Sequence, residues 1–562
     1  MIILGINDMS QDSSACLLQD GEVIAAVSEE RMLGIKHCGG FPALAITECL
    51  RIAMLNPGDV DLVAMGNTSA TAPMRFATHV LSMNKMGHPV PDGLLSSMGH
   101  GAFYAYRTMA TVTPFGVGDQ LVSRALLTRR LGKMGVHAQV FFFDHHLSHA
   151  ASAFHTSGFR QALVLSLDAY GDGRSGALFH GRGHCLEEFS SFPLGASMGE
   201  FYGAITALLG YRFGSDEGTT MALAAFGKPI LKREFQKRVR IKGVALGGNL
   251  TRWGRFTARR LSSFAYHRPE DLAASAQALL EETAAQLVLN AIDQTGSSAL
   301  CISGGVALNV KLNQRLMALP GIKEVHVFPG AGDEGTAVGA AFLLAGETGR
   351  LRPRRMRSAA LGTMYTRSDV EAALSGGRYS IWEYDAEEVA RAIAGGRLVG
   401  WFDGRMEFGP RALGRRSLLA DPRSLEGPEK IRRDIKRRPA FQPFCPSLTR
   451  RYAQYLLTNG KQVDSPFMTM AFDTYGEEAK QVPSVVHVDG SCRPQIVALA
   501  ENPRYFELLR RFGAITGKEC LLNTSLNRSG EPIARSPSQA LTLLAETGID
   551  LLVLGDLMVS KR

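Results

Sequence analysis

The sequence predicts an α/β protein with an internal duplication in its first part. The chain has 562 residues, more than one hydrophobic core usually holds, so two or three domains are expected. Apolar strand-like runs alternate with helical patterns, and 60 glycines suit the many short loops between them. A strand, a polar loop and a returning strand occur twice, once at the start of the chain and once near residue 165.

The repeated element is a β-hairpin. In the first copy an apolar run at residues 2–6 enters the polar loop 7–14 and returns toward an Asp-Gly turn, which is a strong hairpin signal. In the second copy the apolar run 162–167 is expected to end in an acidic, glycine-rich loop at residues 168–175. The repetition indicates a duplicated fold.

A possible nucleotide-binding element follows the second hairpin. Asp271 is expected to cap a long helix, and residues 299–303 form a short strand after it. Gly304 and Gly305 then precede a second helix that begins near Asn309. A strand, a glycine pair and a helix N-terminus suit a nucleotide, although an ordinary tight turn explains the pattern equally well.

A basic, proline-containing stretch at residues 350–363 is interpreted as a linker. It divides the chain into a first domain at residues 1–355 and a second at 356–562. The second domain continues the α/β pattern, with a helix capped by Asp385 and a last helix that begins after Ser536.

The net charge of +9 calls for an anionic partner. Basic residues concentrate at 350–357 and 430–438. Nucleic acid would explain such clusters, but anionic small substrates such as ATP explain them with fewer assumptions. Without a long apolar run or a leader pattern, we expect no membrane span and a cytoplasmic location. The eight scattered cysteines predict reduced, buried thiols.

Histidines and carboxylates form the first chemically informative group. His145 and His149 lie four residues apart where an apolar strand meets an alanine-rich helix, so both imidazoles share one helix face. This spacing favours a shared metal ion over two structural histidines. Asp168 and Asp333 are candidates for the missing ligands. Imidazole with carboxylate suits iron, manganese or zinc.

A second group is rich in cations. Residues 404–416 combine glycines with arginines directly after a strand, which is typical of a loop that cradles a phosphate. Lys436 and Arg493 are further cations in the same domain, and residues 520–527 lead a strand into hydroxyl and amide groups. Their density favours anion binding.

These motifs in this order resemble the O-carbamoyltransferase family, which includes nodulation proteins and antibiotic-tailoring enzymes. The resemblance extends over essentially the whole chain. Its most specific segments are residues 29–31 with Lys36 and His37, then 145–149, 303–309, 409–414 and 522–527. It implies an N-terminal duplicated actin/Hsp70-like domain (ASKHA, Kae1-like) and a C-terminal YrdC-like α/β domain.

The resemblance implies a two-step reaction. The C-terminal domain would form carbamoyl-adenylate from ATP and carbamoyl phosphate, and the N-terminal domain would transfer the carbamoyl group to a hydroxyl of a small molecule. By position, the phosphate ligands would be Arg411, Lys436, Arg493, Asn523 and Ser525, with Arg411 and Lys436 catalytic. The N-terminal nucleotide would meet Gly304, Gly305 and Asn309. The metal, usually Fe²⁺ in the family, would be held by His145, His149, Asp168 and Asp333, and Mg²⁺ would accompany ATP.

The chain departs from the family pattern at three positions. Gln11 stands where the family usually has histidine, and glutamine cannot act as a general base. Thr219 replaces a lysine and Gln442 replaces an arginine, so each removes a positive charge. We therefore expect Asp12, or the environment of the metal, to take over proton removal from the acceptor. The alternatives are a changed donor or acceptor and a non-catalytic, nucleotide-binding role.

The acceptor and the partners are less well defined by the sequence. A protein of the tRNA-threonylcarbamoylation type would explain the positive charge, but the sequence shows no recognisable RNA-binding module, and no nucleic acid partner is expected. Residues 66–135 are least like the family and are expected to shape the acceptor pocket or a lid. Oligomeric state stays open, with a homodimer as one candidate.

Overall fold

The computed structural model describes residues 1–8, 11–68, 115–251, 261–377, 379–458 and 464–562. The chain divides into two compact units, residues 1–33 with 37–356 and residues 34–36 with 357–562. Most of the stretch expected to shape an acceptor pocket, residues 69–114, lies outside the described residues. Among the helices that are described, none combines the length and apolarity that a membrane crossing requires.

The described residues of the first unit form two five-stranded sheets and one small sheet. The first sheet comprises β1 (Ile2–Asn7), β2 (Ser14–Gln19), β3 (Glu22–Ser28), β4 (Leu62–Met65) and β5 (Gln139–Phe142). The second comprises β6 (Gln161–Gly171), β7 (Arg174–Arg182), β8 (Cys185–Pro193), β11 (Ala299–Ser303) and β12 (Glu324–Val327). The small sheet pairs β9 (Val239–Lys242) with β10 (Ala245–Gly248).

Both five-stranded sheets have the same topology. The strand order is β3-β2-β1-β4-β5 in the first and β8-β7-β6-β11-β12 in the second. In each, the central first strand pairs antiparallel with the hairpin strand and parallel with a strand that returns by a helical crossover. The predicted duplication is therefore confirmed, and this unit has the actin/Hsp70-like architecture.

The second hairpin differs from its prediction. β6 continues through Asp168 to Gly171, so the loop expected at residues 168–175 is wrong. The turn is limited to Asp172 and Gly173, both of which have positive φ. Such a two-residue turn matches the twist of antiparallel strands. Asp168 is consequently held on a strand.

Ten described helices accompany these sheets. They are α1 (Glu29–Leu33), α2 (Ala43–Ala53), α3 (Phe115–Lys133), α4 (His145–Ser157), α5 (Met198–Leu208), α6 (Glu217–Ala224), α7 (Lys232–Gln236), α8 (Pro269–Thr295), α9 (Val310–Met317) and α10 (Glu334–Glu347). Asp271 does not cap α8, because the helix begins at Pro269. Its carboxylate instead accepts a hydrogen bond from the backbone N–H of Lys228 at 2.8 Å.

Helices α4 and α10 follow the last strands of the two sheets and pack against each other. The contact is close at Gly339 of α10, where an added Cβ would come within 1.7 Å of the carbonyl oxygen of Ser148. A side chain at this position would push the helices apart. This packing fixes the relative position of the two helix N-termini, which carry His145 and Asp333.

The second unit is a mixed sheet of eight strands with helices around it. In spatial order the strands are β13 (Tyr379–Glu383), β22 (Leu557–Lys561), β21 (Leu551–Leu554), β14 (Val399–Phe402), β15 (Arg416–Ala420), β20 (Cys520–Ser525), β16 (Cys445–Thr449) and β19 (Gln495–Val497). A two-stranded sheet pairs β17 (Phe472–Asp473) with β18 (Ser491–Cys492).

The helices of the second unit include two whose starts follow from the sequence. The set is α11 (Arg367–Leu374), α12 (Ala386–Ala394), α13 (Glu426–Lys430), α14 (Arg450–Leu456), α15 (Gly476–Ala479), α16 (Pro503–Thr516) and α17 (Pro537–Glu546), with a π-helical turn at Ile431–Lys436. Asp385 caps α12 and Ser536 caps α17, as predicted. All eight cysteines are free thiols, and all except Cys185 are buried.

Candidate functional site

The four residues predicted to bind a metal converge in the first unit. His145 and His149 lie on α4, Asp168 lies on β6, and Asp333 immediately precedes α10. The two imidazole Nε2 atoms are 3.0 Å apart, and each is 3.2 Å from Oδ2 of Asp168. Each Nε2 is also 3.6 Å from Oδ1 of Asp333. One ligand atom from each residue thus lies within 4.8 Å of all the others.

Two further aspartates fix the N-terminus of α4. Asp144 caps the helix by accepting from the backbone N–H of Leu147 at 2.9 Å, and its other oxygen accepts from Arg174 at 2.6 Å. Asp172 accepts from the backbone N–H of His145 at 2.9 Å. Sequence reasoning gave Asp172 and Arg174 no role, because only the turn between β6 and β7 brings them to the helix.

The charge distribution in this cluster favours a cation. Burial opposes a positive charge on His149, but its hydrogen bonds with Asp168 and Asp333 raise the pKa of the imidazole to about 9. Burial also opposes the Asp168 carboxylate, but hydrogen bonds from the two histidines hold its pKa well below the ordinary value. A buried site that stabilises charge on imidazole will stabilise a metal ion for the same reason.

The donor set also fits a metal geometrically. Atoms bound to one ion at bond lengths of about 2.1 Å lie roughly 3.0 to 3.6 Å from one another, in the range measured here. Within the described part of the chain, Nδ1 of His145 and Nδ1 of His149 make no hydrogen bond. Both Nε2 atoms face carboxylate oxygens, so a bound cation could take the place of the protons that the imidazoles share with these carboxylates. The residues therefore fit a divalent metal, without choosing among iron, manganese and zinc.

The glycine pair predicted to bind a nucleotide lies beside Asp168. Gly304 has a φ of +85°, and an added Cβ would come within 2.1 Å of the carbonyl oxygen of Leu167. At Gly305 an added Cβ would lie 3.1 Å from Oδ1 of Asp168. Only glycine allows the backbone to approach β6 so closely, so this turn borders the metal cluster.

Asn309, the third predicted nucleotide ligand, is engaged in a buried network. Its Oδ1 accepts from the backbone N–H of Leu312 at 3.0 Å and thereby caps α9. It also exchanges hydrogen bonds of 2.8 and 3.0 Å with the Gln277 amide, which accepts from the Tyr202 hydroxyl at 2.8 Å. The side chain of Asn309 stabilises this corner, and its contact with a nucleotide stays a prediction.

Asp12 contacts a histidine to which sequence reasoning gave no role. Nδ1 of His37 lies 2.9 Å from Oδ1 of Asp12. The Gln11 amide donates to Oδ2 of Asp12 at 3.3 Å and to the carbonyl oxygen of Gly214 at 3.1 Å. Asp12 and His37 are 25 residues apart on different loops, so no periodicity in the sequence could have paired them. The structure thus adds an imidazole near Gln11.

In the second unit, Lys436 and Ser525 come together. The Lys436 side chain is 1% exposed. Its Nζ donates to Oγ of Ser525 at 3.0 Å and to the backbone oxygen and Oδ1 of Asn527 at 2.8 and 2.6 Å. Burial lowers the pKa of this ammonium well below its ordinary value. The amine is consequently held in a fixed position, and an anion nearby would stabilise its charge.

Asn523 links the sheet to the loop that carries Arg411. Its Nδ2 donates to the carbonyl oxygen of Ala412 at 3.1 Å and to Oγ of Ser447 at 2.8 Å. The Gln495 amide donates to the carbonyl oxygen of Leu413 at 2.9 Å. Asn523 is buried, whereas Arg411, between β14 and β15, is partly exposed.

Arg493 contacts a cysteine that the sequence reasoning had not singled out. Its Nε and Nη2 lie 3.1 and 2.9 Å from Sγ of Cys445. Cys445 pairs with Asn523 across β16 and β20. Arg493 is therefore placed at the same part of the sheet as Asn523, which is consistent with a shared anion site in this unit.

The loop between β14 and β15 is organised by two buried charged residues. Glu407 accepts from the backbone N–H of Leu413 at 2.7 Å. Arg416 is fully buried, and its guanidinium donates to the carbonyl oxygens of Asp403 and Gly404, each at 3.0 Å. Arg416 therefore acts on the loop backbone, in contrast to the phosphate contact that a glycine- and arginine-rich loop suggests.

The sequences of both halves of the chain match one family. Residues 2–342 match the model for the carbamoyltransferase N-terminus, and residues 390–561 match the model for the carbamoyltransferase C-terminus. The chain belongs to the carbamoyltransferase family and is a carbamoyltransferase enzyme.

Two relatives illustrate the range of the family. The chain is 34% identical over 577 residues to the nodulation protein NolNO of Sinorhizobium fredii, covering 99% of this chain and 80% of that protein. It is 33% identical over 260 residues to a 3'-hydroxymethylcephem-O-carbamoyltransferase of Amycolatopsis lactamdurans, covering 46% of this chain and 48% of that one. Among solved structures, component A of Acidaminococcus fermentans (R)-2-hydroxyglutaryl-CoA dehydratase superposes with a TM-score of 0.34 at 16% identity, over 62% of this chain and 98% of that one.

Proposed function

We propose that this enzyme is an ATP-dependent O-carbamoyltransferase. It makes carbamoyl-adenylate from ATP and carbamoyl phosphate, and it transfers the carbamoyl group to a hydroxyl of a small molecule in the biosynthesis of a natural product. The observation that carries the proposal is the presence of both carbamoyltransferase halves in one chain, each with its own buried polar site. The cephem O-carbamoyltransferase among the relatives supports a hydroxyl acceptor.

The second unit is proposed to form the adenylate. Lys436, Arg411 and Arg493 supply positive charge for the phosphates, while Ser525 and Asn523 supply neutral polar groups. Carbamoyl-adenylate, a mixed anhydride with AMP, is a better acyl donor than a carbamate. Its formation therefore activates the carbamoyl group for transfer. The cage of oxygens around Nζ of Lys436 fixes the ammonium before substrates arrive, which reduces the reorganisation needed at the transition state.

The first unit is proposed to carry out the transfer. His145, His149, Asp168 and Asp333 would hold the divalent metal, with iron as the expected ion. When bound, such an ion supplies a Lewis acid and a template beside the transfer site. Gly304 and Gly305 let a nucleotide approach the backbone of this corner, and Asp12 lies in the loop where the acceptor hydroxyl would lose its proton.

The test is pyrophosphate release from ATP with and without carbamoyl phosphate, in the absence of any acceptor and with mass detection of carbamoyl-adenylate. We expect release that depends on carbamoyl phosphate, together with the adenylate itself. Folded, ATP-binding protein that releases no pyrophosphate would contradict the proposal and favour a changed donor or a binding role. In this assay the variant Lys436→Met tests the buried lysine, and Lys430→Met is its control. Lys430 is exposed on α13, just before the π-helical turn that ends at Lys436.

A further inference from the structure

We infer that His37 is the group that removes the proton from the acceptor hydroxyl, with Asp12 as its positioning residue. The inference rests on the proposed function and names the proton acceptor within it. It differs from the expectation drawn from the sequence, in which Asp12 itself or the metal environment would take the proton.

The geometry of the pair assigns the two roles. Nδ1 of His37 lies 2.9 Å from Oδ1 of Asp12. An imidazole that donates from Nδ1 to a carboxylate keeps its lone pair on Nε2, and the carboxylate stabilises the imidazolium that forms when Nε2 takes a proton. Asp12 therefore sets the tautomer and the orientation of the ring.

The neighbouring side chain, Gln11, is unsuited to this task. An amide nitrogen donates hydrogen bonds and has no basic lone pair. The amide nitrogen of Gln11 is already directed at Oδ2 of Asp12 and at the carbonyl oxygen of Gly214. With Oδ1 facing His37 and Oδ2 facing Gln11, both oxygens of Asp12 are engaged, which favours the imidazole over Asp12 as the proton acceptor.

The backbone holds both members of the pair in place. The backbone N–H of His37 donates to Glu30 at 3.0 Å, and the backbone N–H of Ser13 donates to the carbonyl oxygen of Cys38 at 3.0 Å. Asp12 and His37 have φ values of 51° and 54°, a left-handed conformation that is strained for a non-glycine residue. Such strain persists only where the surrounding contacts fix the conformation.

The charged groups around the pair are mainly carboxylates. Besides Asp12, a carboxylate oxygen of Glu30 lies within 4.8 Å of a ring nitrogen of His37. Glu217 of α6 interacts electrostatically with His37, and Glu334 of α10 interacts with Asp12 and Glu30. Lys36, the preceding residue, supplies a positive charge along the chain. An excess of negative charge stabilises an imidazolium relative to a neutral ring, as a proton acceptor requires.

One hydrogen bond connects this loop with the metal cluster. Oγ of Ser14 donates to the carbonyl oxygen of Glu334 at 2.8 Å. Ser14 lies two residues after Asp12, and Glu334 directly follows Asp333. The proton-accepting pair and the metal cluster consequently belong to one contiguous region of the first unit.

The proposed step is balanced without a further reactant. The acceptor oxygen attacks the carbamoyl carbon of carbamoyl-adenylate and forms the new carbon–oxygen bond. The bond between that carbon and the phosphate oxygen breaks, and AMP leaves with the bonding electrons. The hydroxyl proton moves to Nε2 of His37 and from there to solvent.

The first arm of the test reads the tautomer directly and needs no acceptor. Full-length protein with ¹⁵N-labelled histidine is examined by NMR, and the His37→Gln variant identifies the His37 signals. We expect neutral His37 to carry its proton on Nδ1, and we expect Asp12→Asn to shift the population toward protonated Nε2. A wild-type His37 protonated on Nε2, or one that stays doubly protonated between pH 6 and 9, would overturn the inference.

The second arm measures transfer of the carbamoyl group to glycerol as the hydroxyl probe. We expect His37→Gln to lower transfer about 10² to 10⁴-fold, while pyrophosphate release stays at the wild-type rate. Added imidazole should restore transfer to His37→Gly, and His267→Gln, which alters an exposed histidine, should change nothing.

Wild-type transfer by His37→Gln would overturn the inference. Absence of pyrophosphate release in the wild-type protein would instead contradict the proposed function. If wild-type protein makes the adenylate but does not use glycerol, the tautomer measurement alone decides the role of His37.

Discussion

The buried polar cluster of the first unit is rich in lone pairs, whereas the cluster of the second unit is rich in N–H donors. His145, His149, Asp168 and Asp333 direct acceptor atoms at a common point. In the second unit the charged side chains of the predicted phosphate site are the cations Lys436, Arg411 and Arg493, and oxygens of Ser525 and Asn527 fix the position of the Lys436 ammonium. The first arrangement is suited to a cation and the second to an anion.

This difference agrees with the two half-reactions of the proposed function. Formation of an adenylate gathers phosphates, whose negative charge needs fixed positive partners. Transfer to a hydroxyl needs a base and, in the proposed mechanism, a metal, and both are built from imidazole and carboxylate. Substitutions in one unit should therefore affect one half-reaction and spare the other.

The largest effect is expected for Lys436→Met. Loss of a buried cation that contacts phosphate costs about 2 to 5 kcal/mol, so we expect pyrophosphate release to fall roughly 10³-fold. Removal of a charge that is costly to bury, as the lowered pKa of Lys436 indicates, offsets part of the cost of leaving the oxygens of Ser525 and Asn527 without their donor, and urea unfolding checks that the variant is folded. Stopped assays with labelled ATP measure the rate, and Lys430→Met should match the wild type. Equal rates in both variants would show that Lys436 does not hold phosphate.

The next effect is expected for Asp333→Asn, which removes one charge from the metal cluster without changing its shape. We expect the affinity for divalent metal to fall by about 10 to 100-fold, the range seen when a group that supports a metal site is lost. Metal content by elemental analysis and titration with Fe²⁺ or Mn²⁺ would measure it. As a control, Asp293→Asn alters an exposed carboxylate of α8, and this variant should bind metal like the wild type. Unchanged affinity in Asp333→Asn would remove Asp333 from the ligand set.

A smaller effect is expected for Arg416→Met. The substitution leaves the carbonyl oxygens of Asp403 and Gly404 without their buried donor, which costs about 1 to 3 kcal/mol per group. Part of this cost is offset, since burial lowers the pKa of Arg416 to about 10 and shows that its charge is costly to bury. The expected net loss is about 2 kcal/mol in the free energy of unfolding, measured with urea. Arg391→Met, on the exposed face of α12, is the control, and equal stability of the two variants would contradict the role of Arg416.

The smallest effect concerns His326 and the pH dependence of stability. Burial lowers its pKa from 6.5 to about 3, with a further contribution from Arg355. Below pH 6.5 the unfolded chain binds a proton at His326 that the folded protein does not bind. The free energy of unfolding therefore decreases as the pH is lowered, by up to about 1.4 kcal/mol per pH unit. His326→Gln can keep the hydrogen bond with Thr156 and should show a shallower decline. Urea unfolding of the wild type and of His326→Gln is measured from pH 7.5 to 5 with chelator present. Parallel plots of the free energy of unfolding against pH would contradict the prediction.

The sequence predicts local features of the fold better than distant ones. The duplication and the caps at Asp385 and Ser536 depend on short patterns, and the structure contains them. The predicted cap at Asp271 is wrong, because the helix begins at Pro269. The Asp271 carboxylate instead accepts from the backbone N–H of Lys228, 43 residues away. The loop expected at residues 168–175 is largely strand, because sheet pairing outweighs the turn preference of its acidic and glycine residues.

In the candidate site, too, the sequence predicts local features better than contacts between distant residues. The four-residue spacing of His145 and His149 places both on one face of α4, as expected. The pairing of Asp12 with His37 joins two loops, which backbone hydrogen bonds from His37 to Glu30 and from Ser13 to Cys38 hold in place. Contacts of this kind have no signature in a single sequence, and only the fold reveals them.

The most direct test compares pyrophosphate release that depends on carbamoyl phosphate in Asp333→Asn and Lys436→Met. The account predicts that Asp333→Asn keeps the wild-type rate and accumulates carbamoyl-adenylate, while Lys436→Met loses the activity. Loss of activity in folded Asp333→Asn together with retention in Lys436→Met would contradict the assignment of the two half-reactions to the two units.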